Sequence, residues 1–247
     1  MIHYHGLPIT PGTSAVVAVK AGHAFVSFRH PGQLAIAVDV CQSFAIDNGA
    51  FSAWKSGEPV RDWTLFYEWA QRCAKYPNCD FVVAPDVIDG NELDNDFLLY
   101  DCPLPHHVIA PVWHMHESLG RLDRLVHEYP RVCLGSSGEF STVGDSKWWL
   151  RIDEAMGVAC DEEGFPKAKL HGLRMLNPKI FSKLPLTSAD STNIGRNIGI
   201  DKNWSKGNYL PFDKDSRAAV MRSRIEAFSA SSQWVRRTNQ LETTTES

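Results

Sequence analysis

Short apolar runs alternate with longer amphipathic segments along most of the chain. Apolar residues recur every three or four positions in the amphipathic segments, which predicts helices over residues 60–76, 93–100, 119–126, 145–158 and 215–230. The apolar runs predict strands at 15–19, 24–28, 34–40, 44–46, 81–84, 108–112, 132–134, 169–175 and 186–189. The rest of residues 1–22 is predicted to form loops, because prolines and glycines interrupt it. Apolar strands joined by helices indicate a parallel sheet that helices cover on both faces.

Polar or glycine-rich clusters follow one strand after another. They begin at Asp47, Asp86, His114, Gly135 and Asp190. In a (β/α) barrel the carboxyl ends of all strands meet at one rim, where the active site lies. The pattern therefore favours an α/β fold of the (β/α)8 TIM-barrel type over the alternative, an open doubly wound sheet. We expect a single barrel domain over residues 1–235 and a flexible C-terminal tail over residues 236–247.

Composition narrows the class of protein. Of the 247 residues, 43% are hydrophobic and 22% are charged, which excludes overall disorder and allows a large core. The net charge of −4 means that any nucleic acid must bind through a local basic patch. No apolar run approaches the roughly 20 residues of a membrane span, and no signal pattern opens the chain, so we expect no membrane partner. Six scattered cysteines without a CxxC pair predict reduced thiols in a cytoplasmic protein, with no zinc cluster and no cofactor.

The segment from Pro185 to Gly199 joins a short strand to residues with useful chemistry. Asp190 ends the strand, and small polar residues and glycines follow it. Glycines let the backbone approach a ligand closely, and Arg196 has the forked guanidinium that binds phosphate. Two interpretations stay open from the residues alone: Asp190 is a catalytic carboxylate, or it is the N-cap of the next helix.

Five segments, in this order, resemble the motifs of the queuine/guanine transglycosylases: IDNGAFSAW (46–54), APDVID (84–89), PVWHM (111–115), LGSSGEF (134–140) and SADSTNIGRN (188–197). Members of that family are (β/α) barrels that replace a guanine base in a polynucleotide by a deazaguanine. The tRNA-acting members carry a zinc subdomain built from three cysteines and a histidine, whereas no cysteine follows Cys160 here. In this respect the chain is more similar to the compact DNA-modifying relatives of phages and bacterial gene clusters.

The resemblance implies a function and partners. We expect a base exchange in DNA rather than tRNA, in which a 7-deazaguanine enters through a covalent aspartyl-glycosyl intermediate. Asp190 corresponds to the nucleophile, and Asp47 is our candidate for the proton transfers. Asp86 would accept hydrogen bonds from the ring N–H and the exocyclic amine of the purine. A homodimer is compatible with the sequence but is not indicated by it.

The remaining candidate substrate-binding residues surround these carboxylates in the five segments or in the strand at 169–175. They are Asn48, Gly49, Phe51, His114, Gly135, Ser136, Ser137, His171, Gly172, Met175 and Arg196. His114 stands where the family has a glutamine, and Gly135 to Gly138 would offer backbone N–H groups to the purine carbonyl. For Phe51, Met175 and His171 the alternative is a place in the core.

Two other functions stay open. His114 and His116, together with His171 and Asp190, match the ligand types of a metal-dependent TIM-barrel hydrolase. In such enzymes the HxH pair usually follows the first barrel strand, and here it lies in the middle of the chain. A non-catalytic DNA-binding accessory protein would need a basic surface. Its candidates lie in the last fifth of the chain: Lys202, Lys206, Arg217, Arg222, Arg224, Arg236 and Arg237.

Overall fold

A computed structural model describes residues 1–200 and 211–236. Nine parallel strands form one sheet in the order β5-β4-β3-β2-β1-β9-β8-β7-β6. They are β1 (Ile2–Leu7), β2 (His23–Ser27), β3 (Ser43–Asp47), β4 (Cys79–Val83), β5 (Ile109–Ala110), β6 (Val112–His114), β7 (Arg131–Gly135), β8 (Lys169–Gly172) and β9 (Ser188–Ser191). Because all pairs are parallel, the connections between paired strands return from the carboxyl end of one strand to the amino end of the next.

The sheet is a nearly closed barrel, because its two end strands are neighbours in the chain. β5 pairs with β4, β6 pairs with β7, and only Pro111 separates β5 from β6. Proline has no N–H to donate to a ladder, which accounts for the break at this position. The two short strands together fill one place in the wall, and the result is a TIM-like barrel.

Helices surround the barrel. They are α1 (Gly12–Val19), α2 (Leu34–Val40), α3 (Ala50–Lys55), α4 (Thr64–Cys73), α5 (Glu92–Tyr100), α6 (Leu119–Glu128), α7 (Ser146–Ala159), α8 (Pro178–Phe181), α9 (Asn193–Asn197) and α10 (Lys214–Glu226). Local chemistry sets several starts: Asn91 caps α5 in a capping box with Asp94, and Ser118 and Asp145 cap α6 and α7. No helix in the described ranges is long and apolar enough to cross a membrane.

Three predictions near the N-terminus are wrong. The runs at 15–19 and 34–40 are helical, in α1 and α2, and the strand β1 lies in the region predicted to form loops. In α1 the buried residues are Ser14, Ala15, Ala18 and Val19, which is the spacing of a helix face. β1 reads IHYHGL, and its histidines concealed the strand pattern.

The core has two parts. A large cluster lies between the barrel wall and the helices and includes Phe44, Phe66, Trp113 and Trp148. A smaller cluster fills the barrel itself, with Tyr4, Phe25, Phe81 and Cys133 among its members. Side chains therefore fill the middle of the barrel.

Candidate active site

A cavity of about 400 Å³ opens at the carboxyl ends of the strands. Nine of the predicted site residues line it: Asp47, Asn48, Phe51, Asp86, His114, Gly135, Ser136, Asp190 and Arg196. They come from segments spread over 150 positions of the chain, and the parallel order of the strands brings their ends together. The cavity has the size of a small-molecule site.

Asp190 lies near the end of β9, with its side chain almost fully buried in the cavity wall. Its Oδ1 accepts a hydrogen bond of 2.8 Å from the backbone N–H of Arg174. The N-cap of the following helix is Thr192, so the N-cap interpretation of Asp190 is wrong. The backbone of β9 instead presents this carboxylate to the cavity, beside β1 and β8.

Asp47 ends β3 and faces the same cavity, next to its cross-strand neighbour Ser27. Burial raises the pKa of Asp47 to about 7, and the negative charges of Asp190 and Asp86 act in the same direction. The polar groups of Ser27 and of the Gly49 backbone near the carboxyl group oppose the shift only in part. A carboxyl group with a pKa near neutrality can both give and take a proton, as a general acid–base group must.

Asp86 is held from both sides. Asn48 Nδ2 donates to its Oδ1 over 2.6 Å, and His114 Nε2 lies 2.9 Å from its Oδ2, at ion-pair distance but not aligned as a hydrogen bond. Asn48 is itself fixed, because it also donates to Ala84 O and accepts from Ala50 N. Each carboxylate oxygen has two acceptor positions, so Asp86 keeps free capacity toward a ligand.

Gly135 packs closely against His114. A Cβ at this position would lie 3.2 Å from His114 Nδ1 and 3.1 Å from Val112 Cγ1. A larger residue would therefore crowd the imidazole and push it by a few tenths of an ångström. The next residue, Ser136, accepts a hydrogen bond from Trp148 Nε1 over 2.9 Å, which ties this loop to α7.

Five predicted binding residues do not line the cavity. Gly49 adopts φ +81° and packs against Arg29, and Ser137 bonds to His116 Nδ1. Met175 is completely buried in the large core cluster, and a Cβ on Gly172 would meet it at 2.9 Å. His171 is completely buried below Asp190. Met175 and Gly172 are thus packing residues, because the side chains around them leave no room for a base.

Sequence reasoning missed other cavity-lining residues, above all Arg174, Phe25, Ser27 and His30. Arg174 has φ +60°, which few residues other than glycine adopt, and its Cζ lies 4.3 Å from the centre of the Phe51 ring. Burial lowers the pKa of Arg174, and the positive charge of Arg196 lowers it further. The strand predicted at 169–175 concealed this residue, because β8 ends at Gly172 and Arg174 lies in the following turn.

The ligand set of the hydrolase alternative does not converge. Both ring nitrogens of His116 already have partners, Ser137 Oγ at 2.7 Å and Gly90 O at 2.9 Å. The side chain lies outside the cavity that His114 and Asp190 line. Within residues 1–200 and 211–236, no group of three or more His, Cys, Asp and Glu side chains is arranged to hold a metal ion.

The C-terminal basic cluster does not form one open surface. Arg217 is buried and donates to Pro211 O and Ile198 O. Arg222 binds Glu226 and the carbonyl of Lys20, which lies at the amino end of the barrel, away from the cavity. These two arginines fasten α10 to the body of the protein. Lys202, Lys206, Arg237 and the tail after it lie outside the described residues.

A scan of protein-family models gives no match to this chain, and a search of curated proteins finds no significant match.

Proposed function

We propose that this protein exchanges guanine in DNA for a 7-deazaguanine base, through a covalent intermediate on Asp190. The observation that carries the proposal is that two carboxylates in different surroundings, Asp190 and Asp47, face one cavity. A base exchange needs both a nucleophile and a group that carries a proton, and such a pair of carboxylates supplies these two roles. The order of the five motifs, on which the family resemblance rests, supports the same assignment.

The reaction has two displacements at the anomeric carbon of the target nucleotide. In the first, a carboxylate oxygen of Asp190 attacks C1′, the C1′–N9 bond breaks, and protonated Asp47 gives its proton to the departing guanine. In the second, ionised Asp47 takes the N–H proton of the incoming deazaguanine, whose nitrogen attacks C1′ and releases Asp190. Asp47 ends each cycle protonated, as it began, which its pKa of about 7 allows at neutral pH.

Asp86 is our candidate for recognition of the base. Its carboxylate accepts hydrogen bonds from the ring N–H and the exocyclic amine of guanine, donors that adenine lacks in that arrangement. Asn48 and His114 hold the carboxylate in place before the base binds. Binding of the base therefore costs little free energy for ordering this side chain. The rings of Phe25 and Phe51 give the cavity the apolar surface on which a base stacks.

Arg174 and Arg196 are our candidates for contacts to the DNA backbone. Both are exposed, both line the cavity, and neither forms an ion pair with any residue in the described part of the chain. The target nucleotide must leave the duplex to reach Asp190, at a cost of a few kcal/mol that phosphate contacts offset. We also propose that residues 1–235 form a single barrel domain that carries no zinc subdomain.

The test is an exchange assay with labelled guanine on duplex DNA, single-stranded DNA and tRNA. We expect label in DNA from the wild-type protein and from an Asp123→Asn control, in which an exposed carboxylate far from the cavity is removed. Asp190→Asn should give none. DNA incubated without an incoming base should remain attached to the wild-type protein after denaturation.

The outcomes separate the competing functions. Label in tRNA alone would overturn the DNA assignment and keep the chemistry. DNA binding without exchange into any substrate, from a folded protein, would favour the accessory-protein alternative.

A further inference from the structure

A chain of polar side chains crosses the interior of the barrel and ends at Asp190. At the amino ends of β4 and β7, Arg131 Nη2 donates to both carboxylate oxygens of Asp80, at 3.1 and 3.0 Å. Arg131 Nη1 donates to Ser188 Oγ over 3.2 Å, and this oxygen lies 2.8 Å from His171 Nδ1. The chain ends where His171 Nε2 lies 3.4 Å from Asp190 Oδ1.

These bonds assign the tautomer of His171. Arginine can only donate, so Ser188 Oγ is an acceptor toward Arg131. Among the described residues, His171 Nδ1 is the acceptor that its own hydrogen can reach, and a proton on Nδ1 would instead turn the lone pair of Nε2 toward the Asp190 carboxylate. Burial lowers the pKa of His171, which keeps the ring neutral at pH 7. A neutral imidazole whose Nδ1 accepts carries its proton on Nε2. That proton lies on the side of Asp190, whose Oδ1 is 3.4 Å from Nε2, at ion-pair distance but not aligned as a hydrogen bond.

The two oxygens of Asp190 are therefore not equivalent. Oδ1 accepts from the backbone N–H of Arg174 at 2.8 Å and is the oxygen that His171 approaches. No hydrogen bond from either group to Oδ2 is found. An oxygen whose lone pairs are engaged by donors is a weaker nucleophile than a free one, because each donor stabilises its negative charge.

We propose that His171 is a positioning residue, which holds Asp190 by Oδ1 and so makes Oδ2 the oxygen that attacks the anomeric carbon. The inference depends on the proposed function for the identity of the reaction. The burial of this row of polar side chains supports the proposed role of His171. His171 and Ser188 are completely buried, and the barrel interior around them is apolar and aromatic. Polar groups in such surroundings cost free energy unless each is bonded, and apolar side chains would fill the same space without that cost.

Two substitutions separate positioning from packing. His171→Gln places an amide N–H near the position of Nε2, whereas His171→Leu fills the site without any donor. The quantity to measure is the rate at which the covalent intermediate forms in a single turnover without an incoming base. We expect His171→Leu to lower this rate by up to about 100-fold with unchanged affinity for DNA, and His171→Gln to recover most of it.

Nitrogen-15 spectra of the free protein test the arrangement without any activity. We expect His171 to carry its proton on Nε2, and Asp190→Asn and Ser188→Ala each to shift its resonances. A proton on Nδ1, or equal rates for the Gln and Leu variants, would overturn the inference. If the wild-type protein forms no intermediate, the proposed function fails, and the spectra still decide whether His171 restrains Asp190.

Discussion

The two ends of the barrel treat their acidic residues in opposite ways. At the amino end, Asp80 is paired with Arg131. At the carboxyl end, Asp47, Asp86 and Asp190 face one cavity, and among the described residues His114 is the basic side chain within ion-pair distance of Asp86. Arginine pairing neutralises the acid at the amino end, whereas the three acids around the cavity have no arginine or lysine partner among the described residues, as the proposed chemistry requires.

The largest expected effect is on the reacting carboxylate. Asp190→Asn should lower the rate of base exchange at least about 1000-fold, because the nucleophile is lost. Thermal unfolding should change little, since the amide keeps an oxygen to accept from the N–H of Arg174. The measurements are labelled-guanine incorporation and calorimetry. A variant with more than a tenth of the wild-type rate would remove Asp190 from the reaction.

At the other end, the expected effect is on stability. Arg131→Met removes the cation bound to Asp80, which keeps the hydrogen bond from the Tyr4 hydroxyl, and should lower the free energy of unfolding by about 3 kcal/mol. Asp80→Asn combined with Arg131→Met should regain part of the loss, because no unpaired charge remains. Urea unfolding of the single and double variants is the measurement. If Arg131→Met unfolds like the wild type, the contrast between the two ends is wrong.

Asp47, at the carboxyl end, should make the stability of the protein depend on pH. Its pKa in the folded protein is about 7, above the ordinary value of 3.8. At pH values between 3.8 and 7, the folded protein therefore keeps a proton on Asp47 that the unfolded chain has lost. This contribution to stability is full below pH 4 and disappears as the pH rises through 7. Asp47→Asn should therefore stabilise the protein at pH 8, by about 2 kcal/mol, and not at pH 4, while it slows exchange by about 100-fold or more.

Unfolding at the two pH values, with Asp123→Asn beside it, is the measurement for Asp47. The Asp123 carboxylate is exposed, and its replacement should leave the pH profile unchanged. An equal gain in stability at pH 4 and pH 8 for the Asp47 variant would show that its carboxyl group titrates normally.

The smallest expected effect is on DNA binding, through Arg174 at the mouth of the cavity. Arg174→Ala should weaken binding of single-stranded DNA by about threefold to tenfold and reduce the salt dependence of binding by about one phosphate contact. Lys75→Ala is the matched control, because Lys75 is exposed just before β4, at the amino end of the barrel. Fluorescence anisotropy at several salt concentrations measures both. Equal losses for the two variants would indicate non-specific attraction.

The sequence predicts the rim of this barrel better than its first turns. Asp47, Asp86, His114 and Asp190 follow apolar runs that form strands, and parallel topology brings such ends together. The sequence did not predict β1, because His3 and His5 face the helix layer, where they bond to Phe228 O and Glu226. Such partners lie more than 200 positions away, and no local pattern indicates them.

The sequence did not predict the place of Arg174 in the cavity or the tautomer of His171, for a related reason. The position of Arg174 depends on a left-handed turn, and the proton position of His171 depends on Ser188 and Arg131 from other strands. A single sequence gives the residue types at these positions. Their roles follow from which groups meet in space.

The break at Pro111 divides the strands of the wall into two runs of unequal content. Strands β1 to β5 carry Asp47 and Asp86, and strands β6 to β9 carry His114, Gly135 and Asp190. In the described part of the chain, the β1–β9 pairing is the ladder that joins the two runs. Asp190 and Asp47, the nucleophile and the proton carrier of the proposed reaction, therefore lie in different runs. Under that proposal neither run can carry out the reaction alone, and the site is complete only when β1 and β9 have paired.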